Sequence, residues 1–404
     1  MRVSISIGAV LGALTLTTAQ DRPQDVTPDI EKPIFICPLP RCRQCPSTQR
    51  RTAPGVGFAL EIGHGTASIR HNDGTFQQVA HIPGSAEYIA RMQYLATSSG
   101  ERMHHGERLL PGVDEKDLGT MPAWLWFHVK RYLNKLLLRP ADPRFGPLAD
   151  MANQLRKEVE KHLGKSIKAA AISSPDRVRL TRFELGDIFD YIWVEDLVKD
   201  RENPMFSELY SLSAALAGYG QGLCANYTSS YECYREEEFA SAPWTLQLDF
   251  SNHSLSGAMG GMNTARRSSG YMTFANTTLG FSHQSRELKD ADDYWKQVES
   301  QVREFSGTVP PESLILTGEH ASDPLFIRAV KNALSHLTRT PALRSLDGRE
   351  ITEEEAKHFL FATSMGAAEL AKRRQEGMAR CMLRPDCRSR LTREDVSSSS
   401  SDEL

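Results

Sequence analysis

Apolar residues recur three or four apart at Leu148, Met151, Leu155, Val159 and Leu163. That spacing predicts a helix over 147–163, ended by Gly164. A second helical pattern covers 122–138, where Trp124 and Trp126 read as core. Upstream, an apolar run from Phe58 to Ile69 turns through Gly63 and Gly65, and Thr75–Ile82 follows the Asn72-Asp73-Gly74 turn, a strand-turn-strand opening. Lys168–Ser173 is a short strand, followed by Ser174-Pro175-Asp176 and a helical stretch through Phe189.

The alternation resumes after a polar break near Arg201–Pro204. A small-residue helix, SLSAALAGYG, precedes a loop holding Cys224 and Cys233. Trp244–Phe250 predicts a strand with Ser254–Met259 as its hairpin partner. Residues 288–305 predict a helix, Ser313–Leu316 a buried strand ending at Gly318, and Pro324–Leu337 another helix. A last helical region over 352–380 has Thr352 as its N-cap and Glu353–Glu355 in its first turn. Strands and helices alternating in two blocks predict an α/β architecture of two lobes, at 55–204 and 205–340.

Composition adds bounds. With 40% hydrophobic and 25% charged residues over 404 positions, the chain is an ordinary globular protein. A net charge of -3, with both signs interspersed, favours neither nucleic acid nor an anionic membrane as partner. The ends differ from the body. Arg2 precedes an apolar stretch from Val3 to Leu16 and small residues ending at Ala19, the pattern of a removed signal peptide over 1–19. Residues 20–54 form a Pro/Cys-rich arm, and 389–404 a Ser-rich flexible tail ending Ser401-Asp402-Glu403-Leu404. That ending differs from a Lys-Asp-Glu-Leu retrieval address only in its first residue. The expectation is a protein of the secretory pathway, retained in the endoplasmic reticulum lumen or secreted, with no stable membrane anchor.

Export gives three sequons meaning as glycosylation sites: Asn226, Asn252 and Asn276. It also makes Cys224/Cys233 and Cys381/Cys387 candidates for local disulfides, with one cysteine odd among Cys37, Cys42 and Cys45. Cys42-Arg43-Gln44-Cys45 has dithiol spacing but lacks the strand-helix context of a redox site. Met103-His104-His105 with Glu107 reads as an exposed polar loop before it reads as a metal site, and no Gly-X-Ser-X-Gly elbow is present.

Five stretches in order carry a resemblance: ALEIGHGTASI (59–69), EKHLGKSIKAAAISSPD (160–176), SLSAALAGYGQGL (211–223), LQLDFSNHSLSGAM (246–259) and ESLILTGEHASDPLFIRAVKNAL (312–334). Together they resemble the actin-like ATPase superfamily, with its two-lobed, ribonuclease H-like fold, and specifically the nucleotide-binding domain of the seventy-kilodalton heat-shock chaperones. The resemblance implies that residues 341–388 return to the first lobe. It also implies two phosphate hairpins, a connecting helix and an adenosine strand-loop-helix. Nothing resembles the family's peptide-binding domain.

Carried over position by position, the resemblance makes Glu61 and Asp249 the catalytic acids that hold hydrated Mg²⁺. Gly63, Gly65, Thr66, Ser68, Ser254, Gly318 and Glu319 become the nucleotide-binding positions, with ATP or ADP as cofactor. The chain departs from the pattern in several places. Glu61 stands where Asp is usual, with an extra residue around His64. Asp249-Phe250-Ser251-Asn252-His253-Ser254 replaces a glycine-rich phosphate turn, and without glycine the backbone cannot approach a phosphate closely. Tyr210 takes the place of a water-positioning Glu, and Glu319 that of a second glycine. Two expectations follow: a scaffold that has lost hydrolysis and binds an unknown protein partner, which the departures favour, or an active Mg-dependent ATPase switch.

Overall fold

The computed structural model describes residues 46–104, 121–199, 208–265, 267–283, 291–307, 309–337 and 351–377. The expected signal peptide, all but the end of the arm, Cys37, Cys42, Cys45, His105, Glu107, Cys381, Cys387 and the C-terminal tail lie outside these. The described residues belong to one compact unit, Leu39–Leu404.

The first sheet contains β1 (Gly55–Leu60), β2 (His64–Arg70), β3 (Phe76–Pro83), β4 (Ala169–Ser174), β5 (Glu195–Asp196) and β6 (Leu209–Tyr210). Its order is β3-β2-β1-β4-β5, with β6 also on β4; the first three strands are antiparallel neighbours, and β4 joins β1 in parallel. The second sheet contains β7 (Trp244–Phe250), β8 (Leu255–Thr264), β9 (Arg267–Asn276) and β10 (Ser313–Thr317), in the order β10-β7-β8-β9. Here too an antiparallel meander is followed by a helical crossover to a strand parallel to the first. One topology thus occurs twice, giving a two-lobed α/β fold. Strand β9 is additional to the two strands expected from sequence, as are helices at Ala86–His104 and Ser230–Phe239.

Helix α4 (Gly146–Leu163) has the predicted register: Leu148, Met151, Leu155 and Val159 are buried against the first sheet, and Gly164 ends it in the left-handed conformation. Burying each such side chain contributes about 1.5–3 kcal/mol. The last helix, α10 (Glu353–Glu376), opens with the expected Thr352 cap, closed into a capping box by Glu355. It packs on β1, β2 and α6 (Ser211–Gly218) along a stripe of small residues. Backbones approach so closely there that a Cβ on Gly57 would lie 2.2 Å from Ser364 O, and one on Gly366 1.7 Å from Ala214 O. Lys372 of this helix is buried; its Nζ donates to Arg51 O, to Ala53 O at 3.0 Å and to Asn72 Oδ1, and pairs with Glu376 at 2.9 Å. It thereby ties the end of the arm, which forms the short helix α1 (Thr48–Thr52), to the body.

The apolar helix α3 (Met121–Leu136) corrects one expectation. Trp126 is 65% exposed and is not core, and Tyr132, Leu133 and Leu136 face solvent with it. The helix is held by its charges instead: Arg131 and Lys135 reach the buried Asp187 of α5 (Arg182–Ile192) at 2.7 and 3.0 Å. From Trp126 to Leu136 the exposed apolar side chains therefore form an outward stripe. No helix among the described residues is long and apolar enough to cross a membrane.

Candidate functional site

The two hairpin turns are built alike. Glu61 N–H donates to His64 O at 2.9 Å, closing β1 to β2, and Ser251 N–H donates to Ser254 O at 3.0 Å, closing β7 to β8. The turns touch. A Cβ added to Gly63 would stand 2.8 Å from His253 Cδ2, so the imidazole of one turn lies against the glycine of the other. Glu319, on the loop after β10, spans the same junction. Its carboxylate lies 3.0 Å from His81 Nε2 and 3.6 Å from His64 Nδ1 in the first lobe, and accepts the Asn252 N–H at 3.1 Å in the second. Burial alone would raise the Glu319 carboxyl, but hydrogen bonds from His81 and Asn252 hold it down at about 2. Burial pushes the His64 imidazole down to about 4, against the pull of Glu319, so His64 is neutral near pH 7.

Behind the turns three carboxyls converge. Ser211 Oγ donates to Glu61 Oε1 at 3.0 Å; Asp176 Oδ2 accepts the Leu212 N–H at 2.9 Å; Asp249 Oδ2 accepts from Thr317 Oγ1 at 3.0 Å. With Gln247 they line a cavity of about 10 Å³, the size of one water. Burial raises all three. Asp176 and Asp249 reach about 7, and Glu61 goes well above the usual carboxylate range, with Asp249 and Asp176 adding repulsion. Near neutral pH the cluster therefore retains protons.

Of the residues expected from sequence, Glu61, Gly63, Asp249, Ser254, Gly318 and Glu319 meet at this junction, while others turn elsewhere. Gly65 faces α4, where a Cβ would lie 2.8 Å from Met151 Sδ. Ser68 Oγ pairs with Ser364 Oγ of α10 at 2.7 Å. Thr66 Oγ1 is buried and makes no hydrogen bond; Ser254 Oγ pairs with Ser251 Oγ at 3.2 Å. Gly318 has φ +108°, and its Cβ would meet Phe250 O at 2.5 Å, so glycine is required there by the backbone itself. Glu319 is engaged by protein. The start of α6 presents Ser211, not Tyr210, to Glu61. Asp176 belongs to the cluster too; its sequence signal was the Ser174-Pro175-Asp176 turn directly after β4.

The cavity between the carboxyls is far smaller than the roughly 300–1,000 Å³ of small-molecule sites, and His253 packs on Gly63 where the two turns meet. Among the sequons, Asn226 is exposed, Asn276 donates to Gln301 Oε1 at 3.0 Å, and Asn252 is half-buried with Oδ1 on His320 Nε2 at 2.9 Å. Cys224 and Cys233 form a disulfide. Beside it lies a larger cavity of about 350 Å³, between the end of α6, α7 (Ser230–Phe239) and β8.

No protein-family model matches the sequence, and no curated protein matches it. Among solved structures the chain is similar to the ethanolamine utilization protein EutJ from Carboxydothermus hydrogenoformans, at 12% identity over 78% of this chain and 89% of that one, with a TM-score of 0.36.

Proposed function

We propose that this protein is an exported, chaperone-like member of the actin-like ATPase superfamily that has become a binding scaffold and no longer hydrolyses ATP. The observation that carries the reading is His253 packed on Gly63, which puts an imidazole where the two phosphate turns would otherwise leave room for a ligand. Loss of phosphate-turn glycine, of a carboxylate at the start of α6 and of the second adenosine glycine all weaken groups that act in the transition state, where misplacement costs orders of magnitude in rate. The Cys224–Cys233 disulfide supports an oxidising, lumenal or extracellular setting. The stripe Trp126, Val129, Leu133 and Leu136 supports a protein partner, since contiguous exposed apolar surface on a folded protein marks interaction sites.

A second reading, a Mg-dependent ATPase switch, is favoured by the convergence of Glu61, Asp176 and Asp249. It requires the lobes to part, breaking the Glu319–His81 contact. Calorimetric titration of the mature protein with ATP and ADP in the presence of Mg²⁺ separates the two. A scaffold gives no heat at millimolar nucleotide; micromolar binding that Asp249→Ala abolishes refutes it.

A further inference from the structure

We infer that His64, His81 and Glu319 form a binding site for a transition-metal dication of the Zn²⁺ class that cross-links the two lobes. Their ligand atoms all lie within 4.8 Å of one another, with 3.0 Å between His81 Nε2 and Glu319 Oε1 and 3.6 Å between His64 Nδ1 and Glu319 Oε2. A tetrahedral ion with bonds of about 2.0–2.1 Å holds its donors roughly 3.4 Å apart, so changes in donor separation of a few tenths of an ångström to at most about 1.4 Å complete the set.

The second observation is independent of that clustering. His64 is fully buried, yet neither ring nitrogen makes a hydrogen bond. Burying an unsatisfied polar group is unfavourable, and a metal bond at Nδ1 removes part of that cost. Thr66, which faces His81 directly across β2 and β3, has a buried hydroxyl without a hydrogen bond as well.

The surroundings suit a metal ligand set. Asn252 N–H donates to Glu319 Oε2 and orients the carboxylate, while His320 holds the Asn252 side chain in turn. Such outer partners fix ligand geometry. Two imidazoles and one carboxylate select zinc and its neighbours over Mg²⁺ or Ca²⁺, which prefer all-oxygen sites. Three protein ligands leave one position for water. Because His64 and His81 come from the first lobe and Glu319 from the second, the ion acts as a clasp. Parting of the lobes would separate Glu319 from both histidines, so the ion binds the closed form.

The test uses the full mature chain, free of any histidine tag, stripped with chelator and titrated with Co²⁺ and then Zn²⁺ without nucleotide. Expected are one ion per chain, tetrahedral Co²⁺ bands without thiolate charge transfer, and a Zn²⁺-induced rise in melting temperature that Mg²⁺ does not reproduce. His81→Ala and Glu319→Gln should each weaken binding at least tenfold and remove that rise. Absence of stoichiometric binding, thiolate charge-transfer bands, or affinity untouched by both variants would overturn the site. If either variant fails to fold, protection of wild-type His81 from diethyl pyrocarbonate by Zn²⁺, read by mass spectrometry, decides: protection supports the site and unchanged labelling refutes it.

Discussion

Replacing Asp176 by Asn removes one of three buried carboxyls while leaving an oxygen to accept the Leu212 N–H. Burial raises the Asp176 carboxyl to about 7, against about 4 in an unfolded chain. Between those values the folded state keeps a proton that the unfolded state has released, so stability falls as pH rises from about 4 to 7. At about 1.4 kcal/mol per pH unit the loss reaches about 4 kcal/mol above pH 7, and only about 1 kcal/mol of it is present at pH 5. Asn carries no such penalty. Its amide meets the same unpartnered environment as Asp176 Oδ1, a cost that does not vary with pH. The reading is therefore the change in the variant's relative stability between two pH values. Urea denaturation at pH 5 and pH 8 should show Asp176→Asn gaining about 3 kcal/mol over wild type as pH rises. An equal difference at both pH values, or one that turns against the variant at pH 8, would refute the buried-carboxyl argument.

Three other substitutions test the packing. Gly318→Ala forces a Cβ against Phe250 O at a positive φ and should cost on the order of 3 kcal/mol or more; an unchanged calorimetric melting temperature would contradict that contact. Lys372→Met leaves the carbonyls of Arg51 and Ala53 without their donor and should cost about 3 kcal/mol in chemical denaturation. Trp126→Ala should change stability by less than about 0.5 kcal/mol, because its side chain is largely in solvent; a loss of several kcal/mol would return Trp126 to the core.

Where the physics was local, the sequence was legible. The Asn72-Asp73-Gly74 turn, the apolar face of α4 with Gly164 behind it, and the Thr352 N-cap are specified by residues within a few positions of one another, and each appears as expected. Strand β9 escaped because its partly polar sequence is ordered by pairing with β8, a tertiary effect. The outward turn of α3 escaped because periodicity marks an apolar face without saying where it points; the buried Asp187 that fixes it lies 56 residues from Arg131. At the site, Glu61, Asp249 and Gly318 were visible through the order of motifs. The convergence of His64, His81 and Glu319 was not, since Glu319 joins the two histidines only when the two lobes meet.

Amide hydrogen exchange of the two turns, 61–64 and 251–254, with and without Mg²⁺ and ATP, probes the closed cleft most directly. A junction sealed by His253 and Glu319 predicts slow exchange at Glu61, Ser251 and Asn252, whose N–H groups donate to His64 O, Ser254 O and Glu319 Oε2, and no change when nucleotide is added. Fast exchange in the free protein that becomes protected with Mg²⁺ and ATP would show an open, working nucleotide cleft and contradict the scaffold reading.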